Sequence, residues 1–225
     1  MYIIMLGGPG TGKGTVGGKI AKDFNLAHIA TGDMFREEIK NQTEFGKRIE
    51  SYISKGLLVP DELVIETVEN RLMKNDAENG VVLDGFPRTV NQAKALEQFL
   101  KDNGKEITMA VELNISDENI IKRIVNRVMC SNKECGAIYN TEFKPPKVKN
   151  ICDICGGSLI KRKDDNEETV KQRLKVYHET SKDLLKYYQE NGLLYTVYPD
   201  IYSETVLEDS VSSVETYLKK EKEVF

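Results

Sequence analysis

The spacing of apolar residues along the chain predicts strands that alternate with helices. Short apolar runs at Tyr2–Leu6, Val81–Leu83 and Met109–Leu113 have the length and composition of buried strands. Between Val64 and Leu72, apolar side chains instead recur at every fourth residue and so share one face of a helix. Because such alternation favours right-handed βαβ units, we predict an α/β fold in three layers, with a central parallel sheet of about five strands.

A second set of predicted elements surrounds a segment that breaks this pattern. Ser116-Asp117 is predicted to cap a helix whose apolar positions run from Ile120 to Val128. Residues 129–163 then bring cysteines, glycines and two prolines, and a long helix resumes near Asn166. Leu193–Val197 is the last predicted strand, and a C-terminal helix follows it. The cysteine segment is therefore predicted to be an insertion between two helices.

The segment that follows the first predicted strand is a candidate phosphate-binding loop. It reads GGPGTGKGT from Gly7 to Thr15, which is a P-loop pattern with one extra glycine before the threonine. Glycines let backbone N–H groups face a phosphate, and the start of the next helix adds partial positive charge. Lys13 is expected to reach the β and γ phosphates, and Thr15 to ligate Mg²⁺. A glycine-rich turn without a ligand is the alternative.

Acidic and basic residues elsewhere fit the same chemistry. Asp84 ends an apolar strand, where P-loop enzymes carry a metal-binding carboxylate, although a plain turn residue remains an alternative. Arginine offers a rigid fork of donors that suits phosphate oxygens. Arg123 and Arg127 are four residues apart, so we expect them on one face of one helix. The chain has only eight arginines: 36, 48, 71, 88, 123, 127, 162 and 173.

Four cysteines form two short hooks, Cys130-x4-Cys135 and Cys152-x2-Cys155, separated by sixteen residues. Hooks of this kind, each followed by glycine, are typical of a structural zinc site with four thiolates. Free buried cysteines and two disulfides are the alternatives.

Four segments together resemble the adenylate kinase family of nucleoside monophosphate kinases, and the resemblance covers nearly the whole chain. They are the loop Gly7–Thr15, then Thr31–Arg36, Asp84–Gln92 and Arg162–Arg173. The resemblance implies a P-loop core with two insertions. It divides the chain into a core at 1–30, 60–127 and 164–225, an AMP-binding insertion at 31–59 and a zinc-ribbon lid at 128–163.

The resemblance also implies roles for individual residues. AMP would bind Thr31, Arg36, Leu57, Leu58, Val59, Gly85, Arg88, Gln92, Arg162 and Arg173. ATP would bind Gly10, Thr11, Gly12, Lys13, Gly14, Thr15, Arg123, Arg127, Ile138 and Tyr139. Catalysis would depend on Lys13, Arg88, Arg123, Arg162 and Arg173. Mg²⁺ would bind Thr15 and, through water, Asp84, and zinc would bind Cys130, Cys135, Cys152 and Cys155. Residues 200–204 lack the family's motif, so no contact to the adenine of ATP is assigned there.

The implied activity is reversible phosphoryl transfer from Mg·ATP to AMP, giving two ADP, with lid closure that excludes water. Three alternatives remain. A related kinase would phosphorylate UMP, CMP or GMP instead. A switch GTPase would need an N-K-x-D motif, and residues 132–135 read NKEC. A zinc-ribbon nucleic-acid-binding module would need a basic, aromatic face, of which Lys144, Lys147, Lys149 and Tyr139 offer a weak version.

Composition and net charge limit the classes of partner and the cellular location that we expect for the protein. The chain has 225 residues, of which 40% are hydrophobic and 30% charged, as in ordinary soluble proteins. Its formal net charge of −4 argues against a nucleic acid partner. No stretch approaches the roughly 20 apolar residues of a membrane helix, and the N-terminus lacks the basic lead of a signal peptide. We expect a cytoplasmic monomer whose partners are ATP, AMP and ADP, with no membrane partner.

Overall fold

The computed structural model describes residues 1–132, 134–200 and 205–223. Residues 201–204, where the missing ATP-adenine motif would lie, fall outside the described residues. In chain order the elements are β1 (Tyr2–Leu6), α1 (Lys13–Asp23), β2 (Ala27–Ala30), α2 (Thr31–Lys40), α3 (Glu44–Ser54), α4 (Asp61–Leu72), a 3-10 helix (Asn75–Ala77), β3 (Val81–Asp84), α5 (Val90–Asp102), β4 (Met109–Leu113), α6 (Asp117–Val125), β5 (Arg127–Cys130), β6 (Ile138–Asn140), β7 (Leu159–Ile160), α7 (Glu167–Glu190), β8 (Leu194–Val197) and α8 (Val206–Glu223).

The core of the described residues is a parallel sheet of five strands in the order β2-β3-β1-β4-β8. This confirms the predicted α/β fold and its sheet. Strand β1 lies in the middle and all its side chains are buried, which explains its unbroken apolar sequence. The carboxyl ends of parallel strands meet at one edge of the sheet, so the loops after β1 and β3 lie close together.

Helices cover both faces of this sheet and make the three layers. On one face, Ile4 packs in a cluster with Leu96 of α5 and Leu184 of α7. On the other face, Met5 packs with Ile20 of α1, in a cluster that also includes residues of α8. No helix in the described ranges is long and apolar enough to cross a membrane.

The predicted helix from residue 117 to Val128 ends earlier than expected. Helix α6 stops at Val125, and Arg127 and Val128 belong to strand β5. Val128 pairs with Tyr139 of β6, so backbone pairing with a distant segment overrides the local apolar period. The prediction that Arg123 and Arg127 share one helix face is therefore wrong.

The start of α6 also differs from the expectation. Ser116 occupies the N-cap position, but its side chain accepts no capping hydrogen bond. Asp117 contacts α7 instead, where its two oxygens lie 3.0 and 2.8 Å from Nε2 of His178. This contact links the helix before the cysteine segment to the helix after it.

The cysteine segment forms a second, small sheet. Its strand order is β6-β5-β7, and both pairings are antiparallel. Cys130, Cys152, Tyr139 and Leu159 form its buried centre. A compact unit of this size has few apolar residues, which makes a metal at the cysteines an effective source of stability.

Candidate active site

The loop after β1 has a backbone that requires glycine at two points. Gly7 has φ 130°, and a Cβ there would lie 2.5 Å from the carbonyl oxygen of Leu113. Gly12 has φ 100° and occupies the N-cap position of α1. These conformations turn the chain sharply from strand to helix and present the first turn of α1 to the edge of the sheet.

Lys13 folds back across this loop. Its Nζ donates hydrogen bonds to the carbonyl oxygens of Gly7, at 2.8 Å, and Gly8, at 2.6 Å. Burial lowers the pKa of Lys13 to about 8, and the nearby positive charges of Arg88, Arg173 and Arg127 act in the same direction. The Asp84 carboxylate opposes the shift. Several positively charged side chains therefore surround the Lys13 amine. A bound polyphosphate would neutralise their combined charge.

Arg127, Arg162 and Arg173 are partly removed from water, whereas Arg88 is exposed. Burial is the main reason that the pKa values of Arg162 and Arg173 fall to about 10. Burial likewise lowers the pKa of Arg123. Partly desolvated guanidinium groups bind an incoming anion more strongly than the same groups do in water.

Asp84 and Thr15, the two residues predicted to bind Mg²⁺, are positioned by β3 and by the first turn of α1. Asp84 ends β3, and its Oδ2 would be 3.0 Å from a Cβ built on Gly14. The carboxylate therefore faces the first turn of α1, on which Thr15 is exposed. A carboxylate and a hydroxyl beside a phosphate site are ligands that Mg²⁺ accepts, so these residues fit the ion.

A cleft of about 590 Å³ brings most of the predicted AMP residues together. It is lined by Arg36, Leu57, Leu58, Val59, Gly85, Arg88, Gln92 and Arg173, among others. Thr31 lies beside it: the hydroxyl donates to the carbonyl oxygen of Asp84 at 3.2 Å, and a Cβ on Gly85 would be 2.8 Å from that hydroxyl. Its oxygen is thus left as an acceptor.

A second cleft, of about 670 Å³, lies against the phosphate loop. It is lined by Gly7, Pro9 and Lys13 on one side and by residues of α7 on the other. Arg88 and Arg173 line both clefts. Of the residues predicted to bind ATP, only Lys13 lines this second cleft. The two arginines therefore connect Lys13 with the cleft that contains most of the predicted AMP residues.

Most of the predicted phosphate-binding arginines are paired with carboxylates in this structure. Arg173 donates to Asp164 at 3.2 Å, and Arg162 and Arg36 both donate to Asp33, at 3.1 and 2.6 Å. No role was assigned to Asp33 in the sequence analysis. The contact with Arg162 spans 129 residues, so the local sequence could not have indicated it.

Arg123 differs from the paired arginines. Within the part of the chain that the structure describes, its Nη1 is buried and has no hydrogen-bond partner. Its Nη2 would lie 3.7 Å from a Cβ on Gly12, so the guanidinium stands over the phosphate loop. A buried donor without a partner at this position fits an anionic ligand.

The four cysteines form one cluster. Their sulfurs all lie within 4.8 Å of one another, with Cys130 and Cys155 at 3.4 Å and Cys135 and Cys152 at 3.6 Å. These separations are too long for disulfides, and all four cysteines are free thiols. Tetrahedral zinc with Zn–S bonds of about 2.3 Å would need sulfurs about 3.8 Å apart, so the cluster fits this ion.

The two residues of the small sheet predicted to bind ATP have different surroundings. Ile138 is 43% exposed. The Tyr139 side chain is buried, and its hydroxyl lies 3.5 Å from the sulfur of Cys152 and accepts a hydrogen bond from the Asp153 N–H at 2.8 Å. The Tyr139 side chain therefore supports the cysteine cluster, and only its backbone is left for a nucleotide.

A parallel sheet with a glycine-rich loop, a partly buried lysine and convergent arginines defines a P-loop phosphotransferase of the nucleotide-binding class. Comparison with known proteins narrows this class. A family model described as adenylate kinase matches residues 5–193.

Curated relatives agree with the family model, and each of the following is named adenylate kinase. One from Caldicellulosiruptor saccharolyticus is 52% identical over 196 residues, which cover 87% of this chain and 90% of the relative. Another from Clostridioides difficile is 44% identical over 214 residues, covering 95% and 98%. A third from Thermosipho africanus is 43% identical over 214 residues, covering 95% and 99%. The chain belongs to the adenylate kinase family, whose activity is phosphoryl transfer between adenine nucleotides.

Proposed function

We propose that the chain catalyses reversible transfer of the γ-phosphoryl group of Mg·ATP to AMP, giving two ADP. The observation that carries this proposal is that Arg88 and Arg173 line one cleft together with Lys13 and another together with Arg36 and Gln92. A donor phosphate held by Lys13 and an acceptor phosphate held by Arg36 and Arg88 would then lie on either side of the transferred group. Such transfer depends on alignment and charge neutralisation, and little covalent help is needed.

Other residues would bind Mg²⁺ and neutralise the charge of the phosphates. The acceptor phosphate is already an anionic nucleophile, so no general base is required. Thr15 and, through water, Asp84 would hold Mg²⁺, which neutralises charge on the β and γ phosphate oxygens when bound. Arg123, Arg162 and Arg173 would neutralise the charge that develops during transfer, and Arg127 would bind the donor phosphates.

Selection of the acceptor base falls to Thr31 and Gln92 in this proposal. Both side chains are almost fully buried, with exposed fractions of 1%. The Thr31 oxygen accepts, and the Gln92 amide offers one donor and one acceptor. A wrong base would leave these buried groups unpaired, at a cost of roughly 1–3 kcal/mol each.

We propose the same division of the chain as the sequence suggested. Residues 31–59 would cover AMP, and residues 128–163, with Ile138 and the backbone of Tyr139, would close over ATP. Closure would exclude water, which otherwise competes with AMP as acceptor. Zinc on the four cysteines would be structural, because four thiolates leave no open position for catalysis. A cytoplasmic location fits cysteines arranged for metal and free of disulfides. We also propose a monomer that binds no nucleic acid.

A coupled assay tests the central proposal. Wild-type protein is given Mg·ATP with AMP, UMP, CMP or GMP, and formation of diphosphate is followed. AMP is expected to be the best acceptor by a hundredfold or more, on the order of two unpaired buried groups. Equal rates with UMP or GMP would contradict the proposed specificity for AMP and would indicate a nucleoside monophosphate kinase of broader specificity. Sedimentation and a salt-dependent mobility-shift assay would test the monomer and the absence of nucleic acid binding.

A further inference from the structure

Asp61, at the start of α4, is the centre of a hydrogen-bond network that reaches the acceptor cleft. Its Oδ1 accepts from Nε2 of Gln92 at 2.7 Å. Its Oδ2 accepts from the hydroxyl of Thr89 at 2.8 Å and from Nδ2 of Asn91 at 3.1 Å. One carboxylate therefore fixes three side chains at the beginning of α5, among them the residue predicted to contact the base.

The amide of Gln92 has a defined orientation because different groups flank its two ends. Oε1 accepts from the backbone N–H of Arg88 at 2.7 Å, while Nε2 donates to Asp61. Turning the amide over would place Oε1 against a carboxylate and Nε2 against an N–H donor. Both hydrogen bonds would be lost, and like groups would face each other.

This orientation determines what remains for a ligand. After these two bonds, Nε2 keeps one N–H and Oε1 keeps one lone pair. The side chain has an exposed fraction of 1% and lines the cleft of about 590 Å³. It therefore offers a donor at one defined point and an acceptor at another.

We propose that Asp61 is a positioning residue for the acceptor base, which it selects by locking the Gln92 amide in one orientation. The inference rests on the proposed function. The pairing edge of adenine offers a donor at the 6-amino group and an acceptor at N1. A 6-oxopurine has these two groups reversed, so it would match the amide only after the turn that Asp61 opposes.

A carboxylate has the property that this role requires. Both of its oxygens are acceptors, so no rotation of Asp61 presents a donor to Gln92. An asparagine at this position would keep the size of the side chain and could present either its oxygen or its nitrogen. In the turned orientation its nitrogen could donate to Oε1 of Gln92, so the part of the lock that Asp61 supplies is removed without removing the packing. The Arg88 N–H still favours the original orientation.

A purely structural role for Asp61 is the competing explanation. It occupies the first turn of α4, where an acidic side chain interacts favourably with the helix dipole. Glu62, the next residue in the same turn, is exposed and has the same relation to the dipole. Glu62→Gln is therefore a matched control, because it removes an equivalent charge without touching Gln92.

The test compares AMP with inosine monophosphate as acceptors in the wild type and in Asp61→Asn, Asp61→Ala and Glu62→Gln. We expect the ratio of kcat/KM for AMP to kcat/KM for inosine monophosphate to fall about tenfold in both Asp61 variants, on the scale of one mispaired buried group. The KM for ATP should stay within about twofold of the wild type, since the network lies on the acceptor side. Glu62→Gln should retain the wild-type ratio.

A double variant separates positioning from structure. In a Gln92→Ala background, Asp61→Asn should leave the acceptor ratio unchanged, because Asp61 acts through Gln92. A wild-type ratio in Asp61→Asn, or an equal loss for both acceptors, would overturn the inference while leaving the proposed function intact. A wild type that uses inosine monophosphate as well as AMP would overturn the proposed function and the inference with it.

Discussion

Arg127 and Asp165 form a bidentate ion pair, in which Nε and Nη2 of the arginine lie 2.8 and 2.6 Å from the two carboxylate oxygens. The Asp165 side chain has an exposed fraction of 1%. The pair connects β5 of the small sheet to the turn that precedes α7. An arginine predicted to bind phosphate therefore also compensates a buried negative charge.

Replacing Arg127 with alanine should destabilise the protein as well as impair catalysis. The variant leaves the Asp165 carboxylate buried without its partner, and breaking a buried pair costs about 3 kcal/mol. We expect a loss of that size in the free energy of unfolding, measured by urea denaturation without nucleotide.

Arg123→Ala is the matched control for this prediction. Its guanidinium has no carboxylate partner among the described residues, and its Nη1 is buried without a hydrogen bond. Its removal should change the free energy of unfolding by less than about 1 kcal/mol while raising the KM for ATP. Equal destabilisation of the two variants would contradict the structural role assigned to Arg127.

The same two arginines illustrate what the sequence could and could not predict. The strands of the main sheet were predictable because fully buried strands leave unbroken apolar runs, as in Val81–Leu83. The end of α6 was not, since Val128 continues the apolar period of the helix while its backbone pairs with Tyr139. Local sequence contains no information on that long-range pairing.

The candidate site also contains some parts that the sequence predicts and others that it does not. The phosphate loop is one continuous segment, Gly7–Thr15, and its residue types and spacing suffice to predict it. The hydrogen bond from Gln92 to Asp61 spans 31 residues, and Asp61 looks like an ordinary first-turn acid in sequence. The hydrogen-bond partner of Gln92 can be identified only from the fold, which brings the start of α4 next to the start of α5.

Lys13→Met should abolish turnover and at the same time stabilise the protein near neutral pH. Burial lowers the pKa of Lys13 to about 8 from 10.5, so the unfolded chain binds more protons than the folded chain between these values. The wild-type free energy of unfolding therefore rises with pH across this window, and the cost of the buried charge is greatest below it.

The expected gain in Lys13→Met is about 2 kcal/mol at pH 7, less than the pKa shift alone implies because two hydrogen bonds to Gly7 and Gly8 are lost. The gain should shrink as the pH rises from 8 to 10. Urea denaturation of both proteins at several pH values measures it. Near-normal turnover in the variant would refute the role assigned to the phosphate loop.

Removing metal from the cysteine cluster should lower the melting temperature. A metal bound only by the folded state adds its binding free energy to stability, so a chelator should lower Tm by about 5 °C or more. Elemental analysis of fresh protein should find one zinc per chain.

Ser131→Ala provides the control within the small sheet, because the Ser131 hydroxyl lies 3.3 Å from the hydroxyl of Ser158 and is not one of the predicted metal ligands. This variant should keep its zinc and its response to chelator, whereas Cys155→Ser should lose both. Fresh protein that contains no metal and melts identically with chelator would rule out the structural metal site.

Two adjacent glycines in α1 should respond differently to replacement by alanine. At Gly18 a Cβ would make ordinary contacts with the His28 ring, at 3.7 and 3.8 Å. Gly18→Ala should therefore raise the free energy of unfolding by about 0.5–1 kcal/mol, the usual gain in a helix. At Gly17 a Cβ would be 3.0 Å from Met5 and 3.1 Å from Val82 in the core. Gly17→Ala should be neutral or destabilising by about 1–3 kcal/mol. Equal stabilisation of both variants in urea denaturation would contradict this packing.

Arg88→Ala should impair every nucleoside monophosphate acceptor by the same factor. Arg88 lines both clefts, and its Nε donates to the carbonyl oxygen of Gly85 at 2.9 Å, which holds the guanidinium in place. Its proposed partner is the acceptor phosphate, which all the monophosphates share, so we expect kcat/KM to fall roughly a thousandfold for AMP and equally for UMP.

Gln92→Ala should instead lower the preference for AMP over UMP while leaving the KM for ATP unchanged. Arg71→Ala is the control, because Arg71 is bonded to Asp76, at 2.8 and 2.6 Å, and lines neither cleft. Steady-state kinetics with each acceptor distinguish the two effects, and an Arg88 variant that lost AMP activity but kept UMP activity would show that Arg88 reads the base and not the phosphate.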